Sequence, residues 1–486
     1  MSTLKRFFKD TIIYGIAAVL PRAINILLVK LHTNTLQSDK YAENTIYFVY
    51  AAYFNAILTY GMETAFFRFF TKEQDKGKVI STSFISLFGT TLLFLILMLF
   101  YSENLATYFG FANPIYFQIL VLVTTFDTWV VLPFAYLRVI NKPIKFASYK
   151  ILNISIYTIF NLYFLLYVPY AIKNGYFIPQ IVSDHFQQDS LVIYIFIANL
   201  IASFVTLLLM FPIFYRFKFN FDKKMLYKML SYGLPIMVGS VAFVTNENLD
   251  KILISKYLGK EKMGIYAACY KLGVFMSLYI MAFRLGAEPF FFNQAKEKNA
   301  KETYAKILNW FTIIGTVFLL IIVLYIDFFA NLLLGKDAYY QALEIVPIIL
   351  LANLFLGIYI NLSVWYKLTD RTKYGMYFSI IGALITIGFN IVFIPKIGYM
   401  ASAWATLIAY IFMTVISYIY GKKYYSIPYK IQKICVYLFL SITLAYLSFV
   451  FFRGNTLISS VLIIMFIGFT AWYEKNDIQK LIKNDY

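Results

Sequence analysis

The sequence has little cysteine, little histidine and little charge. Two cysteines and two histidines occur among 486 residues, and 14% of the residues are charged. Cys269 and Cys435 lie inside apolar runs, and His32 and His185 are far apart. Such a chain has neither a disulfide framework nor a cluster of thiolate or imidazole ligands, so we expect no metal centre. Because soluble domains carry about 25% charged residues, a soluble enzyme is excluded as well.

Long apolar stretches dominate the chain instead. Hydrophobic residues make up 61% of it, and the mean hydropathy is +0.70. The 50 Phe and 43 Tyr residues fit the enrichment of aromatics at membrane interfaces and indicate no special role. The predicted fold class is an all-α integral membrane protein, because helices of about 17–25 apolar residues satisfy their own backbone groups in lipid. We predict fourteen transmembrane helices, at 11–31, 45–67, 80–101, 115–137, 147–169, 191–214, 231–255, 264–290, 305–326, 342–366, 375–394, 399–420, 431–452 and 456–473.

The basic residues predict the orientation of these helices. The formal net charge is +19. Most Lys and Arg residues fall in short segments that face the cytoplasm if the N-terminus does, such as 68–78, 138–150 and 216–228. This alternation follows the positive-inside rule, so we expect both termini in the cytoplasm and loop 170–190 outside. Charge spread over short loops forms no basic domain, and we expect no nucleic-acid partner.

An internal repeat divides the chain. TYGMETAFF at 59–67 and RLGAEPFFF at 284–292 share a Gly, a Glu and two Phe at identical spacing. Each copy lies in the second predicted helix of its half, with the same orientation, which indicates parallel repeats. We therefore predict one six-helix bundle at 1–220, a second at 221–425, and two additional helices with a short cytoplasmic tail at 426–486.

Residues 231–292 carry a set of motifs. The segment opens with Y-G-L-P, has N-x-x-D-K in mid-helix, continues with L-G-x-x-x-x-G-I-Y-A and closes on P-F-F. In these elements it resembles the seventh and eighth helices of Wzx-type polysaccharide-biosynthesis flippases. Two six-helix bundles plus two helices also suit the larger multidrug/oligosaccharidyl-lipid/polysaccharide (MOP) exporter superfamily.

That resemblance implies a transporter and not an enzyme. The substrate would be an oligosaccharide on an undecaprenyl-pyrophosphate carrier, flipped by alternating access to the outer leaflet of a bacterial cytoplasmic membrane. It would serve the synthesis of a surface polysaccharide such as lipopolysaccharide O-antigen or capsule. The implied partners are membrane lipids and the polysaccharide polymerase and glycosyltransferases of the same pathway. No cofactor is implied.

Ionisable side chains inside the predicted helices are candidate site residues, because each costs roughly 2.5–3.5 kcal/mol to insert. Arg22 lies near the middle of the first helix, with Asn25 on the adjacent turn. In one interpretation the two line a cationic cavity, where the planar guanidinium binds the pyrophosphate of the substrate. In the other, Arg22 pairs with Glu247 or Asp250 and holds the bundles together.

The seventh and eighth helices carry further charges. Glu247, Asp250 and Lys251 share one helix face, since they stand at i, i+3 and i+4. The carboxylates would carry protons or bind Na⁺, or Lys251 would pair with one of them in a purely structural contact. Lys251 and Lys271 are also candidate cations of the substrate cavity, although Lys271 alternatively snorkels to the interface.

Four charged residues lie at a similar depth near the cytoplasmic side. Arg284 and Glu288 are one turn apart in the eighth helix, and Glu63 and Arg68 occupy the matching end of the second. One interpretation is a gate in which ion pairs between the two halves close the cytoplasmic entrance. The other is that these are interfacial charges within reach of water.

Polar residues also interrupt helices four and five. Asp127 is an isolated carboxylate and a candidate for ion coupling. Asn153, Tyr157 and Asn161 recur at intervals of four residues. That stripe would either hydrogen-bond the sugars of the substrate or pack one helix against another.

Two rival functions fit a polytopic membrane protein. A cation-coupled multidrug antiporter of the same superfamily should have a net acidic cavity, whereas helices one, seven and eight hold more basic than acidic residues, including Lys30 near one end. A membrane polysaccharide polymerase or ligase usually has a large outer loop, which is missing here. The sequence contains no phosphate-binding glycine motif, nucleophile elbow or H-E-x-x-H, so we expect no ATP and no catalytic residues.

Overall fold

The structure is helical throughout the part of the chain that it describes. This computed structural model describes residues 3–214, 220–295, 297–477 and 479; the side chains of residues 3–12, 14, 214, 288, 289 and 293 lie outside that description. Every secondary-structure element in these ranges is a helix, which confirms the all-α fold expected from the sequence.

The helices follow one another with short connections. Those of the first half are α1 (Thr3–Thr35), α2 (Ser38–Thr59), α3 (Met62–Lys72), α4 (Lys76–Phe100), α5 (Ser102–Tyr108), α6 (Pro114–Val139), α7 (Pro143–Leu162), continued by a π-helical turn (Tyr163–Tyr167), α8 (Val168–Asn174), α9 (Gln180–Ser183) and α10 (Val192–Phe214). Those of the second half are α11 (Lys223–Leu258), α12 (Lys260–Gln294), α13 (Ala300–Leu324), α14 (Ile326–Leu333), α15 (Ile345–Leu362), α16 (Val364–Leu368), α17 (Lys373–Ile397) and α18 (Met400–Tyr424). Two more follow, α19 (Ile431–Phe451) and α20 (Thr456–Tyr473), and single 3₁₀ turns lie at Gln188–Ser190 and Asp337–Ala342.

Within the described ranges, 13 helices are long and apolar enough to cross a membrane. The predicted second span, 45–67, falls on α2 and α3, which are separated by a break at Tyr60 and Gly61. The total of fourteen spans therefore remains a prediction that depends on α2. This helix packs against α6, α11 and α12. Because these helices cover α2, it tolerates polar residues such as Glu43. The buried carboxylate of Glu43 lies 3.2 Å from the ammonium of Lys260.

Polar side chains and prolines begin several helices. Four helices start at a residue whose side chain accepts a hydrogen bond from an N–H of the first turn: Asp75, Asn113, Asp222 and Asn455. These caps satisfy donors that have no partner inside the helix. Hydrogen bonds from the backbone N–H groups of Met225 and Lys224 lower the pKa of Asp222. Pro114 and Pro143 occupy the first helical position, where a missing N–H costs nothing.

The two halves are each packed internally and touch through their first helices. In the first half, α6 packs against α4 and α10, and α7 packs against α1 and α10. In the second half, α11 packs against α17, and α15 packs against α12 and α18. Contacts between the halves come from α2 against α11 and α12, and from α1 against α12. The charged residues of α1, α11 and α12 therefore lie close to the boundary between the halves.

A buried carboxylate joins the last two helices to the second half. Glu474, just after α20, is almost fully buried and lies 2.7 Å from the ammonium of Lys433 in α19. The same carboxylate accepts hydrogen bonds from Asn309 of α13 at 2.9 Å and from Tyr437. Because the hydrogen-bond and ion-pair partners of this carboxylate come from α19 and α13, the end of α20 is held against both helices.

Candidate functional site

Arg22 lies in the middle of α1, on the side that faces the second half. Its side chain is exposed, and it forms no ion pair with any residue of the described ranges. It nevertheless interacts electrostatically with Glu247 of α11 and Arg284 of α12. Asn25, one turn further along α1, is exposed as well. Because the Arg22 guanidinium is exposed and interacts with charges of the second half, it lies in the space between the halves and not against lipid.

The charges of Lys251 and Asp250 in α11 neutralise each other inside the protein. The Lys251 ammonium lies 3.0 and 3.2 Å from the two carboxylate oxygens of Asp250, and it donates to the carbonyl of Glu247 at 2.5 Å. It also lies 3.8 Å from the centre of the Tyr270 ring, and Tyr266 donates to Asp250 at 2.6 Å. Both charged side chains are buried. These contacts favour the structural interpretation of Lys251 over a place on an open cavity wall.

Glu247 is held by two phenols. Tyr410 of α18 donates a hydrogen bond to Oε1 of Glu247, and Tyr270 of α12 also bonds to this carboxylate. Arg22 contributes only a longer-range electrostatic attraction. These neutral hydroxyls bond to the carboxylate of Glu247 but do not neutralise its charge.

Lys271 of α12 carries a charge that no described carboxylate neutralises. It is half-buried and interacts electrostatically with Lys251 and with His32. His32 in α1 is buried and hydrogen-bonded to Asn161 of α7 at 2.8 Å. Neighbours on α1 and α11 place Lys271 between the halves, which disfavours snorkelling to the membrane surface. Asn161 thereby packs α7 against α1, as polar side chains do between membrane helices.

Asp127 and Asn153 lie within the first half, away from its boundary with the second. Ser203 of α10 donates to Asp127 at 2.7 Å, and Lys150 of α7 interacts electrostatically with the same carboxylate. Asn153 donates to the hydroxyl of Thr206 at 2.9 Å. These bonds join α6, α7 and α10 through polar side chains inside the first half.

Three of the four residues of the predicted gate have described side chains, namely Glu63, Arg68 and Arg284. Glu63 in α3 pairs with Arg138 of its own half, at 3.2 Å from the guanidinium. In this conformation Glu63 is therefore paired within its own half, and the gate between the halves stays a prediction. Arg284 lies on α12 near Arg22, and the side chain of Glu288 lies outside the described residues.

At the end of the molecule predicted to face the cytoplasm, α3 and α11 form the contact between the halves. The guanidinium of Arg68 stacks 4.2 Å from the ring centre of Tyr232, and Lys228 lies 3.5 Å from Glu73. Beside these contacts the α2–α3 break touches the backbone of α11. The second predicted span thus meets the seventh at this level, where the sequence predicted the eighth.

At the opposite end, predicted to face outward, a contact between the halves involves the end of α1 and is called the outer contact. The ammonium of Lys30 donates to the carbonyl of Asn331 at 2.6 Å and to that of Leu334, at the C-terminus of α14. Lys336 donates to the carbonyl of Leu36 at 3.0 Å. A lysine is well placed at a helix C-terminus, where carbonyl groups lack partners. Lys30 is therefore committed to the outer contact and adds no charge to the space around Arg22.

Sequence reasoning missed the tyrosines that surround the charges of α11. Tyr266, Tyr270 and Tyr410 donate to or stack on the charged groups, although interfacial enrichment explained tyrosines in general. A signal for the first two existed, because they are four residues apart on α12, beside Lys271. No group of three or more metal-binding side chains was found among the described residues.

Comparison with solved structures shows that this all-helical fold occurs in other proteins. The fold is similar to that of the lipid II flippase MurJ in an inward closed conformation, with a TM-score of 0.73, 19% identity and coverage of 96% of this chain and 100% of that one. It is also similar to an inward-facing multidrug resistance MATE family transporter of the MOP superfamily, with a TM-score of 0.63, 12% identity and coverage of 86% and 95%.

The family is shown by the sequence. A family model described as polysaccharide biosynthesis protein matches residues 7–291, more than half of the chain, and the chain belongs to this family. A MatE model matches residues 235–392. A curated relative, the Lsg locus putative protein 1 of Haemophilus influenzae, is 26% identical over 83 residues, 17% of this chain and 21% of that protein. The aligned part thus spans about a fifth of this relative. The resemblance drawn from residues 231–292 is confirmed.

Proposed function

We propose that this protein is a flippase that moves a lipid-linked oligosaccharide of the undecaprenyl-pyrophosphate type across the bacterial cytoplasmic membrane. Arg22 carries the proposal. Its guanidinium is exposed in the middle of α1, faces the second half and has no ion-pair partner within the described residues. A charge at that depth needs a function, and a planar guanidinium suits the oxygens of a pyrophosphate.

The charge balance between the halves supports an anionic substrate. Lys251 is neutralised by Asp250, and Lys30 binds backbone carbonyls at the outer side. Around Arg22 this leaves the cations Arg22 and Lys271, and the described carboxylate near Arg22 is Glu247. Because this excess lies in a low-dielectric environment, it attracts a multiply charged anion more strongly than it would in water.

The contacts between the halves support alternating access. In our proposal, the bundles 1–220 and 221–425 move as rigid bodies, and the Arg68–Tyr232 contact and the Lys30 contact with α14 break in turn. Glycosyltransferases of the same pathway supply the substrate on the cytoplasmic side, and a polymerase uses it outside. Asp250, Glu247 and Asp127 are the carboxylates through which a coupling ion would act.

A cation-coupled multidrug antiporter is the second candidate. The MatE match over residues 235–392 favours it, as does the presence of two carboxylates, Glu247 and Asp250, on α11. The ion pair with Lys251 weakens this candidate, because it removes the charge with which Asp250 would attract an organic cation.

The test is transport by purified protein in vesicles. The probe is undecaprenyl-pyrophosphate oligosaccharide with a fluorescent sugar, and accessibility of that sugar to an external quencher reports flipping. We expect Arg22→Ala to lower the rate at least about tenfold, in line with losing a charge-assisted contact of about 1.5–3 kcal/mol. Arg22→Lys should recover part of the rate, since the lysine ammonium keeps the positive charge but lacks the two parallel N–H donors of the guanidinium.

Arg371→Ala is the matched control, because Arg371 is an exposed arginine beside Tyr424 at the cytoplasmic end of the second half. It should transport like the parent. Unchanged flipping by Arg22→Ala would refute the role of Arg22. Restoration of Arg22→Ala by a second change, Glu247→Gln, would show that Arg22 only balances a carboxylate. Movement of an organic cation without any lipid transport would favour the antiporter.

A further inference from the structure

The loop between α8 and α10, at the predicted outer side of the first half, exposes apolar side chains. Between Lys173 and Asp184 the sequence NGYFIPQIVS contains no charged residue. Phe177 and Ile181 in this stretch are 82% and 76% exposed. Such a group of exposed apolar side chains marks a surface that contacts another protein or a membrane. We call residues 175–183 the outer aromatic segment.

The outer aromatic segment is packed against the first half along one side. Ile178 and Val182 pack on a buried cluster that includes Tyr194 of α10. The hydroxyl of Tyr167 donates to the carbonyl of Phe177 at 3.0 Å. The segment is therefore held in place by its inner side chains, and its exposed ones face away from the protein.

The exposed side of the segment continues the lipid-facing side of the preceding helix. From α7 through the π-helical turn into α8, exposed residues recur at intervals of three or four: Ile159, Leu162, Leu166 and Tyr170. This spacing places them along one side of the helix, where an exposed apolar surface contacts lipid in a membrane protein. The ring of Tyr170 stacks on that of Tyr176 at 5.7 Å between centres, which joins this side directly to the segment.

The length of the same helix brings its end to the membrane surface. Pro143–Asn174 has 32 residues. At 1.5 Å per residue the helix measures about 48 Å, more than the hydrocarbon thickness of about 30 Å. The span predicted from the sequence, 147–169, ends one residue before Tyr170. Tyrosine is enriched at this depth because its ring is apolar and its hydroxyl reaches water.

We propose that the outer aromatic segment is a membrane anchor, lying in the headgroup region of the leaflet that is predicted to be the outer one. The rings of Tyr176 and Phe177 and the side chain of Ile181 insert among the lipids. Because the segment connects α8 with α10, this anchor fixes the depth of the first half in the bilayer. The inference goes beyond the proposed transport and does not depend on which substrate is carried.

The test measures lipid contact in the purified full-length protein, reconstituted into vesicles of phosphatidylcholine and phosphatidylglycerol. After Cys269→Ser and Cys435→Ser, a fluorophore is attached at Phe177→Cys, and a lipid with a nitroxide near its headgroup is the quencher. The control is Gln187→Cys, an exposed polar position of the same loop. We expect lipid quenching at 177 to be at least about twice that at 187, because interfacial segments lie about 5–10 Å deep. Iodide on both sides of the membrane should quench position 187 more than 177.

A second measurement asks whether the apolar side chains hold the segment in the membrane. The fluorophore is moved to Gln180→Cys, an exposed position between Phe177 and Ile181. Phe177→Ser combined with Ile181→Ser should lower lipid quenching there to the value found at 187. Phe177→Leu combined with Ile181→Leu keeps the apolar character and should preserve it.

Equal lipid quenching at positions 177 and 187 would overturn the anchor, as would quenching at 180 that the serine substitutions leave unchanged. Quenching at 177 that rises with the amount of protein per vesicle, and not with the nitroxide lipid, would also overturn it and identify a second copy of the chain as the occupant. Each of these results leaves the flippase proposal standing, because lipid-linked oligosaccharide takes no part in the measurement.

Discussion

At the scale of single residues, the charges of α11 show how a membrane protein keeps ions in its interior. Lys251 and Asp250 are sequence neighbours that pair side by side, and Tyr266 completes the hydrogen bonds of the carboxylate. Glu247, one turn earlier, accepts a hydrogen bond from Tyr410 instead. Each buried charge thus has polar partners, which is the condition under which burial of an ion is tolerated.

This arrangement predicts the effect of removing Lys251. Lys251→Met should destabilise the protein by about 3–5 kcal/mol, because it leaves the buried Asp250 carboxylate without its cation. The double variant Asp250→Asn/Lys251→Met removes both charges and should recover most of that loss. Thermal unfolding in detergent measures the difference. A single variant as stable as the parent would show that Asp250 does not depend on this ion pair.

At the scale of elements, the α2–α3 break and α11 approach each other more closely than side chains permit. Gly61 adopts a positive φ of 71°, which only glycine adopts freely, and a Cβ there would lie 2.2 Å from the carbonyl oxygen of Gly233. A Cβ on Gly233 would lie 2.8 Å from the carbonyl oxygen of Tyr60. The cytoplasmic contact between the halves therefore requires glycine on both sides.

Gly233→Ala should hinder closure on the cytoplasmic side. The added methyl group meets backbone, which cannot rotate away, so we expect the closed contact to lose about 1–3 kcal/mol. The control Gly239→Ala lies in the same helix, with its nearest neighbour, Met376, at an ordinary 3.6 Å. Closure is measured as the crosslinking yield of cysteines at Arg68 and Tyr232. A yield equal to that of the control would argue against a tight glycine contact.

The same pair of cysteines tests whether the contact must open. Arg68 and Tyr232 lie on opposite halves and are stacked in this conformation. A disulfide or short crosslink between Arg68→Cys and Tyr232→Cys should abolish lipid flipping, and reduction should restore it. Cysteines at Glu63 and Arg138, which pair within one half, provide the control and should leave transport intact when crosslinked. Full activity in the crosslinked Arg68–Tyr232 variant would place the moving contact elsewhere.

At the scale of the whole molecule, orientation depends on whether α2 crosses the membrane together with the 13 apolar helices. If it does, both termini are cytoplasmic and the loop between α8 and α10 is outside. The buried contact of Glu43 with Lys260 of α12 explains how a less apolar helix is kept among the others.

Labelling of single cysteines tests this topology. Cys269 is buried and Cys435 exposed, so both are first replaced by serine. A cysteine at Gln187 should react with a membrane-impermeant reagent on intact cells, and one at Lys422 only after the membrane is opened. The reverse pattern would invert the proposed orientation, and equal access from one side at both positions would require an even number of spans between them.

The sequence by itself determined the helical class, the position of nearly every helix and the family. The length of an apolar segment is a local property of the sequence. A segment that is long enough enters the bilayer whichever helices it later packs against. Arg22 could be singled out for the same reason, because a charge in mid-helix is visible in one segment. Which hydrogen-bond partners the buried polar side chains have was decided by the tertiary structure alone. Tyr410 reaches Glu247 from a helix far along the chain, and Asn309 reaches Glu474 from a helix well before it in the sequence. Hydrogen bonds and ion pairs act over a few ångströms, so long-range packing determines which charges are neutralised and which remain for a substrate.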